Sequence, residues 1–364
     1  MPSVSTSDYV FGDSARALPE GAVDAVMWHS WLMVIGRGFR FKLEDTPQDG
    51  FSRGEGVKAT WGGEVAGRDV TVGGHMLHVE EFGNPADAAV LYLHGGPGMG
   101  AFHFESAQAE RLRTGLRLIS VDQRGVLRSA PIADEEAFGV MDIVSDCDAL
   151  RELLGIEHWS LIGHSFGGYV ALLYAMTRPG AVDRLVLENA ALDLGSSVRS
   201  LLGMAAMEYG AHGDRTQSRD CLALAHSPRD TPVASLWANL WLRLADLGDL
   251  RDNLYIHGEN KRLVADIMAG SPFPDAWWQR GGVHQSRLVK EGRMFTSLGD
   301  CLKEVRQRTL LIKGRYDPVM AGDQIAKYLE TKPETELSIF PHSGHFAHLE
   351  EPDRFSREIL GFLG

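Results

Sequence analysis

The chain has few cysteines and no excess of positive charge, and each scarcity excludes a class of protein. Its 364 residues include three cysteines, which lie far apart and match no metal-binding spacing. So low and odd a number of thiols suits a reducing compartment. The formal net charge of −13 argues against nucleic acid and anionic membrane surfaces as partners, because both carry negative charge themselves.

Long hydrophobic runs are missing as well. The first residues show no basic start followed by an apolar core, so we expect no signal peptide. The apolar run at 31–36 is too short to span a bilayer. We therefore expect a cytoplasmic protein that binds a small molecule or a short peptide. The sequence leaves its oligomeric state open.

From residue 68 onward, short apolar strands alternate with amphipathic helices, and this alternation predicts an α/β fold. We expect an eight-stranded, mostly parallel sheet with helices on both faces, in which the first two strands are antiparallel. Residues 66–191 and 305–364 would form the sheet domain. Residues 1–65 read as an N-terminal extension, and residues 192–304 as a mostly helical insertion between two strands. The predicted strands are 69–72, 76–82, 88–94, 116–122, 159–164, 184–189, 309–314 and 336–341.

The densest chemical signal is the sequence GHSFGG at 163–168. A predicted strand precedes it and a predicted helix follows, which is the context in which a G-x-S-x-G motif is meaningful. Small residues at Gly163 and Gly167 allow a sharp turn that lifts the hydroxyl of Ser165 above the sheet. We therefore predict that Ser165 is a nucleophile.

A serine hydroxyl needs a histidine as its base and an acid that orients the histidine. Two later loops follow predicted strands in the expected order. The first carries Asp317 in GRYDPV, and the second carries His345 in PHSGHFAHLEEP. We predict that Asp317 and His345 complete a triad with Ser165.

Other residues compete for these roles. Glu188 and Asp193 follow an earlier strand and are rival acids, and His342 and His348 flank His345. The H-x-x-H-x-x-H spacing also raises the alternative of a metal site, but no carboxylate or thiol pattern supports it. We expect no metal and no organic cofactor.

The loop HGGPG at 94–98 follows a buried strand and has few side chains. Attack on a carbonyl creates an oxyanion that needs fixed N–H donors. The backbone N–H of Phe166, after the serine, would be one donor, and that of Gly96 the other. Gly95 lets the loop turn its amides towards the oxyanion. A dinucleotide-binding motif of the form G-x-G-x-x-G is absent from this loop.

Together, HGGPG at 94–98, VDQRG at 121–125, GHSFGG at 163–168 and the loops of Asp317 and His345 resemble the α/β-hydrolase fold. Within it they look most like the proline iminopeptidase group of serine peptidases. That resemblance implies that residues 192–304 form a helical cap over the site. It also implies release of an N-terminal residue, often proline, from a peptide or small amide.

The resemblance extends to substrate binding and to the support of the glycine loop. Iminopeptidases hold the free amine of their substrate with acidic residues, some in the cap, and the candidates here are Glu208 and Glu259. Asp122 and Arg124 end a strand beside the HGGPG loop, and we expect them to brace it by hydrogen bonds. Phe166 stands where the group commonly has tryptophan, and Leu127 replaces a glycine. These departures weigh against strict prolyl specificity.

We predict a serine hydrolase that forms an acyl-enzyme, and within that class an aminopeptidase-like amide hydrolase. An esterase, lactonase or thioesterase acting on a small metabolite is the alternative. An acyl transferase would use the same machinery, and a non-catalytic ligand-binding relative would share the fold.

Overall fold

The computed structural model describes residues 67–364. The predicted N-terminal extension, residues 1–65, lies outside the described residues. Between residues 67 and 364, no helix combines the length and the apolar character that crossing a membrane requires.

The described part of the chain forms one mostly parallel sheet, and this confirms the predicted fold class. Its eight strands are β1 (Arg68–Val72), β2 (His75–Phe82), β3 (Ala89–Leu93), β4 (Arg117–Asp122), β5 (Trp159–His164), β6 (Val182–Glu188), β7 (Arg308–Gly314) and β8 (Glu336–Phe340). They lie side by side in the order β1-β2-β4-β3-β5-β6-β7-β8. β2 is antiparallel to both β1 and β4, and the other neighbouring pairs are parallel.

Helices occupy each connection from β3 to β8, and two more follow β8. In the described residues they are α1 (Phe102–Leu112), α2 (Val140–Leu153), α3 (Phe166–Thr177), α4 (Leu194–Ala211), α5 (Arg215–Ala225), α6 (Val233–Leu247), α7 (Leu263–Ala269), α8 (Asp275–Glu291), α9 (Gly322–Thr331), α10 (Ala347–Glu350) and α11 (Pro352–Leu363). A 3-10 helix, Gly248–Leu254, follows α6. Three shorter 3-10 turns are Pro179–Ala181, Arg293–Phe295 and Leu302–Glu304.

The core lies on both faces of the sheet, because successive side chains of a strand point to opposite sides. Tyr92 of β3 stacks on Phe104 of α1, with ring centroids 3.6 Å apart. Its neighbours Leu91 and Leu93 belong to the apolar cluster that includes Leu172 of α3. A strand that is covered on both faces is apolar along its length, and this accounts for the continuous apolar run of β3.

The chain between β6 and β7 is mostly helical and contributes α4 to α8. In α6, four leucines at helical spacing are buried along one face: Leu236, Leu240, Leu244 and Leu247. The same spacing in the sequence indicates an amphipathic helix. The division of the chain into a sheet domain and a cap stays a prediction.

Candidate active site

Ser165 lies in the sharp turn between β5 and α3. Its backbone φ of +56° lies in a region that residues other than glycine rarely adopt. A Cβ added at Gly163 would lie 2.6 Å from the carbonyl oxygen of Gly167, and one added at Gly167 would lie 2.0 Å from that of Leu93. The backbone therefore requires glycine at both positions. The strained turn holds Ser165 at the end of the strand, as the motif predicts.

Asp317 and His345 meet in the loops that follow β7 and β8. The Nδ1 atom of His345 lies 2.7 Å from Oδ1 of Asp317, and both side chains are buried. The backbone N–H groups of Val319 and Met320 donate to the same carboxylate at 3.0 Å and 2.9 Å. Burial raises the pKa of Asp317, but the hydrogen bond and charge of His345, with the ammonium of Lys313, outweigh this and bring it below the usual value. Asp317 is thus an ionised acceptor for His345.

The backbone of His345 is held from two sides. Its N–H donates to the carbonyl of Tyr255 at 2.6 Å, in the chain between β6 and β7. Its carbonyl accepts from Nδ2 of Asn189 at 2.9 Å and from Nε2 of His164 at 3.0 Å. Since a carbonyl only accepts, Nε2 of His164 carries the proton. His164 therefore links the turn that carries Ser165 to the loop that carries His345.

Ser165 and His345 line one cavity of about 170 Å³. Among the described residues, no hydrogen bond joins the Ser165 hydroxyl to the ring of His345. Such bonds are often long in unliganded enzymes and shorten when substrate binds. The cavity is mostly apolar. Apolar residues from the chain between β6 and β7 that line it include Leu194, Leu201, Trp237, Leu240, Trp241, Leu244, Val264, Met268, Trp278 and Met294.

The glycine loop lies directly against the serine. A Cβ at Gly95 would be 2.7 Å from Cβ of Ser165, so a larger residue at this position would displace the serine. Gly96 has a φ of +115° and lines the cavity together with Phe166. In residues 67–364, neither the N–H of Gly96 nor that of Phe166 donates a hydrogen bond. Both donors are therefore unengaged beside the nucleophile, which is what an oxyanion site requires.

Asp122 braces the segment after the glycine loop, but Arg124 points elsewhere. Oδ1 of Asp122 accepts from the N–H of Ala101 at 2.9 Å, and Oδ2 pairs with Arg128 at 2.5 Å. The guanidinium of Arg124 instead pairs with Asp146 at 2.6 Å and with Glu136 at 2.8 Å. It therefore ties its loop to α2 rather than to the glycine loop.

Gln123 makes the contact that the sequence analysis assigned to Arg124. Its backbone N–H donates to Nε2 of His94 at 3.1 Å. Its side-chain amide donates to the carbonyl of His94 at 3.2 Å. Gln123 lies between the two predicted residues, and no sequence signal separates it from them. At the end of β4, the side chain of Gln123 points towards His94, whereas that of Arg124 points towards Asp146.

The two predicted amine-binding acids lie outside the cavity wall. Oε1 of Glu208 accepts from Nδ2 of Asn253 at 2.7 Å, and Glu259 is exposed. The acid that does line the cavity is Asp252, beside Arg251. Neither residue belongs to a motif, so the sequence analysis missed both. Burial raises the pKa of Asp252, partly offset by the charge of Arg251.

The rival residues have other partners. Both oxygens of Glu188 lie 2.9 Å from Nδ1 of His348, and Nε2 of His348 lies 3.0 Å from Nδ1 of His103. The side chain of Asp193 accepts a hydrogen bond from the N–H of Ser196 at 2.9 Å and so caps the N-terminus of α4. Neither rival acid contacts His345. His342 donates its backbone N–H to Glu351 at 3.0 Å.

A buried cluster of two histidines and a glutamate includes His164, the residue before Ser165. His164, Glu188 and His348 are buried, and their ligand-capable atoms lie within 4.8 Å of one another, so the three could hold a metal ion. The carboxylate of Glu188 is already engaged, since both the backbone N–H and the ring of His348 bond to it. Burial, reinforced by the neighbouring histidines, holds the pKa of His164 well below its usual value. The neutral ring donates through Nε2 to the carbonyl of His345.

Comparison with known proteins agrees with this architecture. Residues 88–352 match the alpha/beta hydrolase fold family, and the chain belongs to that family. It is 26% identical over 292 residues to a probable proline iminopeptidase from Leptolyngbya boryana, covering 74% of this chain and 85% of that protein. A proline iminopeptidase from Neisseria meningitidis is 40% identical over 117 residues, which are 32% of this chain and 36% of that protein.

A solved structure supports the same fold. The crystal structure of a proline iminopeptidase-related protein from Thermus thermophilus superposes with a TM-score of 0.59 at 21% identity. The match covers 81% of this chain and 96% of that protein. The protein is therefore a hydrolase of the α/β-hydrolase fold that resembles proline iminopeptidases. An esterase and an enol-lactonase are also among the similar structures.

Proposed function

We propose that the protein is a serine hydrolase in which Ser165, His345 and Asp317 act as a triad. The observation that carries this proposal is the 2.7 Å contact between His345 and Asp317, with His345 and Ser165 lining the same cavity. The carboxylate fixes which ring nitrogen carries the proton. Nε2 of His345 is then the free base for the serine hydroxyl.

In the first half of the reaction, Ser165 attacks the substrate carbonyl while His345 takes its proton. The carbonyl oxygen becomes an oxyanion beside the N–H groups of Gly96 and Phe166. His345 then gives the proton to the leaving amine or alcohol, and an acyl-enzyme remains. In the second half, His345 activates a water molecule, which releases the acid and restores Ser165.

For the substrate, we propose a small aminoacyl amide or short peptide, as for an aminopeptidase. The named relatives and the HGGPG loop support this class, and Asp252 is a carboxylate in the cavity wall that can bind a free amine. An ester, lactone or thioester is the second candidate. The largely apolar cavity wall favours it, because such substrates need no amine-binding site.

The first experiment compares hydrolysis of prolyl- and alanyl-naphthylamides, their N-acetyl forms and short-chain nitrophenyl esters. Ser165→Ala should abolish turnover, whereas Ser297→Ala, at an exposed serine, should not change it. Free aminoacyl amides that react while their N-acetyl forms do not would support an aminopeptidase. Reaction of esters alone would support the second candidate.

A fluorophosphonate probe tests the nucleophile without any knowledge of the substrate. It should label wild type and Ser297→Ala but not Ser165→Ala. Absence of labelling in folded wild type would contradict the proposed hydrolase and would support a ligand-binding relative. Transfer of the acyl group to an added amine in preference to water would indicate an acyl transferase.

A further inference from the structure

Arg251 is a buried cation in the wall of the candidate active site. It lies on the 3-10 helix Gly248–Leu254, and its side chain is 7% exposed. It lines the same cavity as Ser165 and His345. It forms an ion pair with Asp252, in which Nε and Oδ1 are 3.5 Å apart, longer than a usual hydrogen bond. Across residues 67–364, the Arg251 guanidinium donates no hydrogen bond.

A guanidinium has five N–H donors in a rigid plane and stays charged in proteins. Burying such a group without partners is costly, so buried charges are ordinarily paired and hydrogen-bonded. Arg251 is buried beside the cavity and forms an ion pair with Asp252 at 3.5 Å, but among the described residues its N–H groups make no close hydrogen bond to a protein acceptor. An acceptor supplied by a bound ligand would meet that need.

The other charges in the cavity wall point the same way. Lys261 lines the cavity, but its ammonium donates to the carbonyl oxygens of Ile256 and His257. Of the lining residues between 67 and 364, Asp252 is the one acid. Two cations therefore face one carboxylate, although the chain as a whole has a net charge of −13. The local excess of positive charge favours an anionic ligand.

We propose that Arg251 binds a carboxylate of the substrate, and this inference rests on the proposed hydrolase function. A carboxylate matches the planar fork of the guanidinium through two parallel hydrogen bonds. A single guanidinium, part of whose charge Asp252 already balances at 3.5 Å, suits a single negative charge better than the two charges of a phosphate monoester. The substrate class is then a small amide or ester with an apolar body and a free carboxylate, such as an unblocked dipeptide.

The direct test measures binding without turnover. In Ser165→Ala protein, titration calorimetry compares 4-phenylbutyrate with its neutral isostere 4-phenylbutyramide. We expect the carboxylate to bind about tenfold or more tightly, since a hydrogen bond to a charged group is worth roughly twice a neutral one. Equal binding of the two probes, or no binding of either at millimolar concentration, would overturn the proposal.

Substitution of Arg251 tests whether this residue causes the preference for the carboxylate probe over the amide probe. In the Ser165→Ala background, Arg251→Gln should remove it, and Arg251→Lys should keep part of it, because an ammonium retains the charge but loses the planar fork. Arg262→Gln is the matched control, at an arginine that is 59% exposed in the neighbouring turn. Circular dichroism establishes that each variant folds. A carboxylate preference that survives in folded Arg251→Gln would overturn the assignment.

Turnover separates this inference from the proposed function. In the wild-type protein, kcat/KM for alanyl-phenylalanine should exceed that for alanyl-phenylalanine amide, and Arg251→Gln should remove the difference. If Ser165 is labelled and esters react but the carboxylate preference is missing, the hydrolase stands and the role of Arg251 fails. If the carboxylate preference is present but Ser165 is inert, the binding site stands and the proposed hydrolase fails.

Discussion

His345 and His348 lie three residues apart in the chain, and each pairs with a carboxylate from another segment, His345 with Asp317 and His348 with Glu188. Their closest contacts are 2.7 Å and 2.9 Å, and all four side chains are buried. His345 lines the cavity beside Ser165, whereas the second nitrogen of His348 faces His103 in the interior. A pairing with a carboxylate therefore does not by itself mark a catalytic histidine. What distinguishes His345 from His348 is its place in the wall of the cavity that Ser165 also lines.

The largest expected effect separates His345 from its neighbours in sequence. His345→Ala should lower kcat on the order of 10⁴-fold or more, because the serine loses its base. His342→Ala, three residues away, is the control and should leave kcat unchanged. The measurement is turnover of whichever substrate the first panel identifies, with the rate of fluorophosphonate labelling as a second readout. Comparable losses in the two variants would contradict the proposed triad.

Replacing each of the two carboxylates by its amide should separate a catalytic role from a role in stability. Asp317→Asn should lower kcat by about 10³- to 10⁴-fold, because the amide cannot hold His345 in the same tautomer. Glu188→Gln should lower the free energy of unfolding by about 3 kcal/mol, since it weakens a buried pair, with a much smaller loss of kcat in the folded protein. Urea unfolding and kinetics on both variants check this. If Glu188→Gln lost more kcat than Asp317→Asn, Glu188 rather than Asp317 would be the catalytic acid.

The smallest expected effect is the pH dependence of stability. The pKa of Asp317 is below its usual value in the folded protein, so its ionised form stabilises the fold at pH values above the unfolded pKa of about 3.9. This contribution is lost as the pH falls through the folded pKa. The difference in unfolding free energy between wild type and Asp317→Asn should therefore be on the order of 1–3 kcal/mol near pH 7 and should shrink below about pH 4.

Urea unfolding at pH 7, 5, 4 and 3 measures that difference. Asp249→Asn is the control at an exposed aspartate, and its difference from wild type should stay small throughout. A difference that grows as the pH falls would show that the ionised Asp317 does not stabilise the fold.

Local sequence was sufficient for the fold and for the residues at strand ends. Each predicted strand has an observed counterpart, with shifts of at most two residues at the ends, because apolar runs and glycine punctuation are local signals. The place of Ser165 in a turn could be predicted for the same reason, since a strained turn between a strand and a helix restricts the residues on both sides of it. The meeting of Asp317 and His345 could be predicted because carboxyl ends of parallel strands lie at one edge of the sheet.

Tertiary structure alone decided what surrounds those residues. Arg251 and Asp252 line the cavity, whereas the predicted Glu208 and Glu259 do not, because which side chains reach the cavity depends on how their segments of the chain pack together. The contact of His164 with the carbonyl of His345 joins residues 181 positions apart. The backbone at a strand end follows local rules, but the wall of the cavity depends on contacts between distant segments that no short motif encodes.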